Sequence, residues 1–457
     1  MTVTILPSKA NGKIEAPPSK SMAHRLLICA GLARGTSVIQ NIDFSEDILA
    51  TIDCLRALGI EISCGDRCAT VRNPLRAGET IGEIVPAEPE GTFPGSPGCV
   101  PEARSAYVPA ALDCRECGST LRFMIPLCLM TGQTYMLRGS RTLFTRPLTV
   151  YENICEAQGL MFRKEGNQLT VSGRLSPGEY EIPGNISSQF VSGLLFTLPL
   201  LEGDSRIRLI PPVESRSYIG MTMQAQEEFG VCTEWEDDLT IRIRGGQKYR
   251  PRKTRVEGDY SNAAFFEALN LAGGNVTVEG LKADSLQGDR VYRQHLERIR
   301  EGYAEIDLSD CPDLGPVLIA AAALQHGAKF TGTRRLKIKE SDRGLAMRQE
   351  LDKMGVTVET GENEIFVHAG AERIKDSACA EYREEPADEE RSGEVSCLMR
   401  PEQPLDGHND HRIVMALAVM LTKTGGTIRG AEAVRKSLPD FWQRLAGLGV
   451  EMRVEQE

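Results

Sequence analysis

Two cations and two hydroxyls crowd one short stretch of this chain, PPSKSMAHR at residues 17–25: Lys20, Arg25, Ser19 and Ser21. An apolar run follows at once, with Leu26, Leu27, Ile28, Ala30 and Leu32. Cations and hydroxyls at the start of a helix are groups that hold phosphate or carboxylate. Similar donor-bearing starts recur in GSTLR (118–122), SSQ (187–189) and NDHR (409–412), so that Arg122 and Arg412 join Lys20 and Arg25. The whole chain carries a formal charge of -11, which makes these donors a local choice. A protein that tracks nucleic-acid backbone needs a basic face, and no nucleic-acid partner is expected here. One cleft that gathers a multiply anionic small molecule fits both facts.

The elements that would position these groups repeat. Six segments, beginning at Ser19, Gly118, Ser187, Ser261, Cys311 and Asn409, share one plan. A polar cluster leads into an apolar stretch, then a glycine-containing turn and a β-rich tail. Each predicts a buried helix capped by Ser, Asn or Asp, closed near a glycine and followed by a strand. Amphipathic helix–Gly–strand segments alternate with them at 54–62, 154–162, 226–235, 351–359 and 445–452, with a weaker copy at 295–306. The order is α/β, repeated about six times, and 457 residues exceed one ordinary core. Two similar domains of three units each are expected. The basic stretch 245–256 is the crossover between halves, and the polar stretches 85–102 and 381–394 are surface loops.

Helix N-termini expose unpaired N–H groups and a positive dipole end. At about 4 Å and an effective dielectric near 20, one cation–anion pair is of order 4 kcal/mol before desolvation. Several must therefore converge to hold two anions together. The Walker A pattern is absent, which excludes an ordinary P-loop kinase. The thirteen cysteines form no secretory framework, and MTVTILPSKANGKIEA alternates like a strand rather than a leader. Reduced thiols and a cytoplasmic location are expected. Cys114 and Cys117 make a lone CxxC, far in sequence from His408 and His411, and no metal site is expected. No apolar segment is long enough to span a bilayer, so no membrane partner is expected.

With these residues in place, the chain resembles the 3-phosphoshikimate 1-carboxyvinyltransferase (EPSP synthase) family from about residue 12 to 445. The resemblance rests on PPSKSMAHR, GSTLR, RP (146–147), SSQ, ESRSYIGMT (214–222), PD (312–313), KESDR (339–343), NDHR and KSLPDF (436–441), in that order. It implies two inside-out α/β domains of three βαβαββ-type units, helices buried and sheets outside, that close over a cleft. The domains would be 19–250, and 1–18 with 251–457. The implied substrates are shikimate 3-phosphate and phosphoenolpyruvate, with no cofactor, and a monomer is the family default.

Carried over residue by residue, the resemblance puts Lys20 on both substrates. It sets Ser21, Arg25, Ser187, Ser188, Gln189, Ser215, Asp313 and Lys339 on shikimate 3-phosphate. Gly118, Arg146, Gln189, Arg343, Arg412 and Lys436 fall on phosphoenolpyruvate. Asp313 becomes the base at the 5-hydroxyl, Glu340 the proton shuttle at C3, and Lys20 the group that assists the departing phosphate. Two positions depart from the usual pattern. Glu116 replaces an expected Asn and puts a negative charge near phosphoenolpyruvate unless it turns away or pairs with Arg122. Arg335 also replaces an Asn and offers shikimate 3-phosphate another cation. The sister family, UDP-N-acetylglucosamine enolpyruvyltransferase, uses a loop cysteine ahead of its RP motif; GSRTLFTRP (139–147) contains none. A non-catalytic anion binder of the same fold is disfavoured, because it gains nothing from Asp313 and Glu340.

Overall fold

Every residue of the segment GPVLIAAAAL, Gly315–Leu324, is buried. A helix apolar on all sides must sit inside a core rather than on its surface. Five more helices are buried along nearly their whole length: Lys20–Leu32, Gly118–Cys128, Ser188–Thr197, Tyr260–Ala268 and His411–Thr424. These are the six apolar segments anticipated from the sequence. The computed structural model describes residues 1–74, 110–368 and 398–456. Both expected surface loops, 85–102 and 381–394, lie outside the described residues.

The repeating unit is plainest between 179 and 243. Strand Glu179–Pro183 pairs in parallel with Ser205–Ile210, and the buried helix Ser188–Thr197 makes the crossover. Helix Arg216–Glu228 follows, then a hairpin of Thr233–Trp235 and Thr240–Ile243, whose second strand runs antiparallel to Ser205–Ile210. Ser205–Ile210 alternates buried and exposed residues, so one sheet face meets the helices and the other meets solvent. The same order recurs around Thr134–Arg138 and around Ala328–Thr331. Helices therefore lie inside and sheets outside, the inside-out α/β architecture.

Two units borrow strands from distant parts of the chain. Lys253–Arg255 pairs in parallel with Gly35–Gln40, and Thr2–Ile5 lies between Gly426–Arg429 and Met452–Glu455. Asn11–Glu15 pairs with Asn275–Glu279. One hydrophobic core gathers residues from Met22 to Val256. The other gathers Val3, Ile5, Ala10 and Ala16 with residues from Tyr260 to Val450. The chain passes between the two cores twice, and the passages run side by side. Ser19 N donates to Glu257 O at 2.8 Å, and Asp259 N donates to Pro17 O at 2.7 Å.

A glycine closes one of the buried helices directly; the other five end on Ala33, Leu129, Leu198, Leu269 and Gln325. Gly425 ends His411–Thr424 at φ 71°, and a Cβ there would meet the Pro7 ring at 2.9 Å. Only glycine takes that turn at no steric cost.

Candidate active site

Side-chain capping fixes where five of the six buried helices begin; Gly315–Leu324, preceded by Leu314, has no such cap. Ser19 Oγ accepts from Met22 N, Ser187 Oγ from Gln189 N at 3.3 Å, Asp259 Oδ1 from Asn262 N at 2.7 Å and Asp410 Oδ1 from Arg412 N at 2.9 Å. Gly118–Cys128 is capped by a thiol, with Cys117 Sγ accepting from Thr120 N. Residues at or beside five of the six helix starts line one cleft between the two cores. The sixth start, near Asp259 and Ser261, lines a smaller cavity that shares Lys20, Ser21 and Arg412 with the cleft.

The cleft brings together Lys20, Ser21, Arg25, Gly118, Arg146, Ser187, Ser188, Gln189, Asp313, Arg335, Lys339, Glu340, Arg343 and Arg412. Eight lysines and arginines face three acids there, Asp47, Asp313 and Glu340. On a chain of net charge -11, this is a strongly positive hollow built for anions.

On the first core's side, the arginines are held by neutral oxygens. Arg25 donates to Thr222 Oγ1 at 2.8 Å, Ser21 O at 2.8 Å and Tyr218 O at 3.0 Å. Arg122 donates to Gln189 Oε1 at 2.7 Å and Pro147 O at 3.2 Å. Burial lowers both guanidinium pKa values to about 10, with the neighbouring Arg146 charge adding to the effect at Arg122. Arg146 and Arg122 fill the space over Gly118, where a Cβ would come within 2.8 Å of Arg146 Nη1. Lys20 is the exception on this side. Its Nζ donates to Asp47 Oδ2 at 2.8 Å. Burial works against its charge, yet Asp47, Glu340 and Cys117 together outweigh it and raise the pKa.

On the second core's side Arg343, Arg412 and Lys339 meet carboxylates, whereas Arg335 donates to the Ser215 hydroxyl and approaches Glu214 only at 3.8 Å. Arg343 is fully buried and donates to Asp410 Oδ2 at 2.9 Å, Asp313 Oδ1 at 2.9 Å and Glu340 Oε2 at 2.7 Å. Arg412 donates to Asp313 Oδ2 at 3.2 Å, and Lys339 Nζ lies 3.2 Å from Asp313 Oδ1. Burial alone would push both acids up. Arg412, Lys339 and Arg343 overturn this at Asp313, and Arg343, Arg146, His411 and Lys20 overturn it at Glu340, so both carboxyls stay ionised. Lys339 goes the other way: burial, with Arg335 and Arg343 nearby, lowers its pKa to about 8 despite Asp313.

Two expected residues do not line the cleft. Ser215 turns to the second core, where its N donates to Ser309 O at 3.1 Å and its Oγ accepts from Arg335 Nη1. Lys436 Nζ donates to Asn409 O at 2.6 Å and pairs with Glu116. Glu116 therefore reaches across the cleft to Lys436 and the Asn409 amide, and not to Arg122. Of the two outcomes expected for Glu116, turning away or pairing with Arg122, it does the first, and its partner comes from 320 residues further on.

Sequence reasoning missed Asp47, Tyr218 and His411, all in the cleft lining. Tyr218 and His411 lie inside motifs already quoted; Asp47 had no local signal. Cys117, His24 and Asp47 place ligand atoms within 4.8 Å of one another, but Asp47 is already engaged by the Lys20 ammonium, a poor neighbour for a metal cation.

Comparison with known proteins decides the family. The family model of EPSP synthase (3-phosphoshikimate 1-carboxyvinyltransferase) matches residues 6–83 and 71–445. A relative from Clostridium kluyveri named 3-phosphoshikimate 1-carboxyvinyltransferase is 36% identical, over 98% of each chain. The chain belongs to the EPSP synthase family. A relative of the same name from Clostridium novyi is also 36% identical, over 98% of this chain and 97% of its own. The EPSP synthase of Acinetobacter baumannii superposes with a TM-score of 0.71 at 21% identity, over all of both chains. The enolpyruvyl transferase NikO of Streptomyces tendae gives 0.69 at 14% identity, over 99% and 98%. These two show the shared fold. As an EPSP synthase family member, this chain is an enolpyruvyl transferase of the shikimate pathway.

Proposed function

We propose that this enzyme transfers the enolpyruvyl group of phosphoenolpyruvate to the 5-hydroxyl of shikimate 3-phosphate, releasing phosphate by addition and elimination. The observation that carries this reading is the pair of ionised carboxylates, Asp313 and Glu340, tied to one buried guanidinium amid a surplus of cations. Anion binding alone needs no such acids; proton traffic at a substrate does.

Ser21, Arg25, Ser187, Ser188 and Gln189 hold shikimate 3-phosphate, with Ser215 of the same side acting through Arg335, and with Arg335 and Lys339 closing from across the cleft. Arg146, Arg343, Arg412 and Lys436 clamp phosphoenolpyruvate beside Gly118. Asp313 accepts the 5-hydroxyl proton as that oxygen attacks C2, while Glu340, protonated once the substrates draw its cations away, gives a proton to C3. Glu340 then takes a proton from C3 as phosphate leaves, and Lys20 stabilises the departing group. Two polyanions entering the cleft share the cations that now hold both acids ionised. The acids' pKa values rise on binding, and proton uptake becomes accessible only with both substrates present.

The domains are 19–250, and 1–18 with 251–457, the start of the second range lending strand Lys253–Arg255 and Val256 to the first core; the enzyme works as a cytoplasmic monomer. Among the described residues no helix is long and apolar enough to cross a membrane. Phosphate release from phosphoenolpyruvate tests the reading, with shikimate 3-phosphate or a UDP-sugar as acceptor. Release is expected with shikimate 3-phosphate; release with the UDP-sugar alone, or none, overturns it.

A further inference from the structure

Tyr218, from the first core's side, projects its hydroxyl between two acids of the other side. Its Oη lies 3.2 Å from Asp313 Oδ2 and 3.2 Å from Asp289 Oδ2. A phenol has one proton to donate, so it can satisfy one carboxylate only. The second contact is a hydrogen bond only if that carboxyl itself carries a proton and donates it to Oη. Asp313 is ringed by Arg343, Arg412 and Lys339 and stays ionised. Asp289 is 4% exposed; the Ser261 hydroxyl beside it favours its charged form, yet no donor among the described residues reaches its Oδ1 in hydrogen-bonding geometry. An ionised oxygen left so would be costly, and a neutral carboxyl is far less so.

We propose that Asp289 is a positioning acid: it carries a proton and donates it to Tyr218 Oη, so that the phenolic O–H is aimed at Asp313 Oδ2. The ordered chain runs from Asp289 O–H to Tyr218 O–H to the Asp313 carboxylate. It fixes the lone pair with which Asp313 faces the substrate hydroxyl, and no net proton leaves it. Tyr218 and the two acids come from opposite cores, so the chain is assembled only when the cleft is closed. The charged and titratable groups around Asp289 are Asp313, Arg412, Asp259, Tyr218 and Cys311, with Lys20 lining the same small cavity. Burial, then the Asp313 charge, raise the Asp289 pKa to about 7, with Asp259 adding and Arg412 and the Ser261 hydroxyl opposing. The proton is therefore held below that pH and lost above it.

The inference rests on Asp313 acting as the base. Asp289→Asn keeps a donor toward Tyr218, and Asp289→Ala removes it. The alanine variant should lose about 10- to 100-fold in kcat, the value of a hydrogen bond to a charged group. The asparagine variant should recover most of that loss, and its activity should no longer fall as pH rises through 7. Infrared difference spectra of the intact protein should show a protonated-carboxyl band in wild type that is missing from Asp289→Asn. Equal losses in both variants, an unchanged alkaline fall in Asp289→Asn, or a band that survives in it overturns the proposal. If Asp289→Asn fails to fold, Tyr218→Phe serves instead: the band must shift as its hydrogen bond is lost, and an unshifted band is the overturning result. Asp313→Ala separates the two ideas, since wild-type turnover there removes the base assignment while the band still reports on Asp289.

Discussion

Apart from Arg335, whose pKa burial lowers as it lowers those of Arg25 and Arg122, the two walls of the cleft carry their buried arginines in opposite electrostatic states. On one wall, Arg25 and Arg122 are buried against hydroxyls, carbonyls and the Gln189 amide, and their pKa values fall to about 10. On the other, Arg343 and Arg412 are equally buried but bound to carboxylates, and their pKa values rise. The difference is what each wall lacks when empty. The first wall holds positive charge uncompensated by any acid of its own apart from Asp47, so an arriving anion fills a deficit. The second wall is already balanced, so an arriving anion must compete with Asp313 and Glu340. Competition releases those acids for chemistry. One wall stores affinity, and the other couples binding to proton transfer.

Four experiments test that contrast. Lys20, the one first-wall cation with an acid of its own, is assigned to the chemistry. Lys20→Met should lower kcat by about 10³-fold with the fold intact, the scale of losing a group that stabilises transition-state charge. Near-normal turnover would remove Lys20 from the mechanism.

Removing one arginine from each wall should give opposite stability results. Arg343→Gln leaves Asp410, Asp313 and Glu340 without their shared partner and should cost about 3–5 kcal/mol in stability, seen as a lower melting temperature. Arg122→Gln removes an uncompensated buried charge; the melting temperature should hold or rise while affinity for the substrates falls about tenfold. Matching losses of stability would erase the distinction between the walls.

Lys339 gives a pH test. Its pKa is lowered to about 8, so its charge is present below that pH and lost above it. Affinity for shikimate 3-phosphate should weaken as pH rises through 8, and Lys339→Arg should move that loss to higher pH. A pH-independent affinity would exclude Lys339 from the phosphate. The smallest effect is expected at Glu116, whose side chain is 36% exposed. Glu116→Gln frees Lys436 from a partly solvated ion pair and should lower KM for phosphoenolpyruvate up to about fivefold. A rise in KM instead would mean that Glu116 holds Lys436 in place for the substrate.

The six polar-started helices were legible because capping and apolar periodicity act within a dozen residues. Gly315–Leu324 needs no partner to declare itself buried. The cations of the helix starts were legible for the same reason. Asp47 was not, since nothing near it in sequence shows that it will meet Lys20. Cys117 as a cap escaped notice because Ser, Asn and Asp are the usual caps and a thiol accepts weakly. Glu116 was recognised as unusual, yet its partner could not be read from its own motif.

By itself, the sequence determined that the six helices are interior, because a helix apolar on every side can only be buried; the inside-out layering was what the family resemblance implied. It also determined which residue types gather at the helix starts, because the first N–H groups of a helix need caps and favour anions. Tertiary structure decided the rest: which arginine meets a carboxylate and which meets a hydroxyl, and that one tyrosine stands between two acids. Those pairings join residues from 30 to more than 300 positions apart. Charge in a buried cleft is set by such neighbours at about 3 Å, and local pattern has no means of recording them.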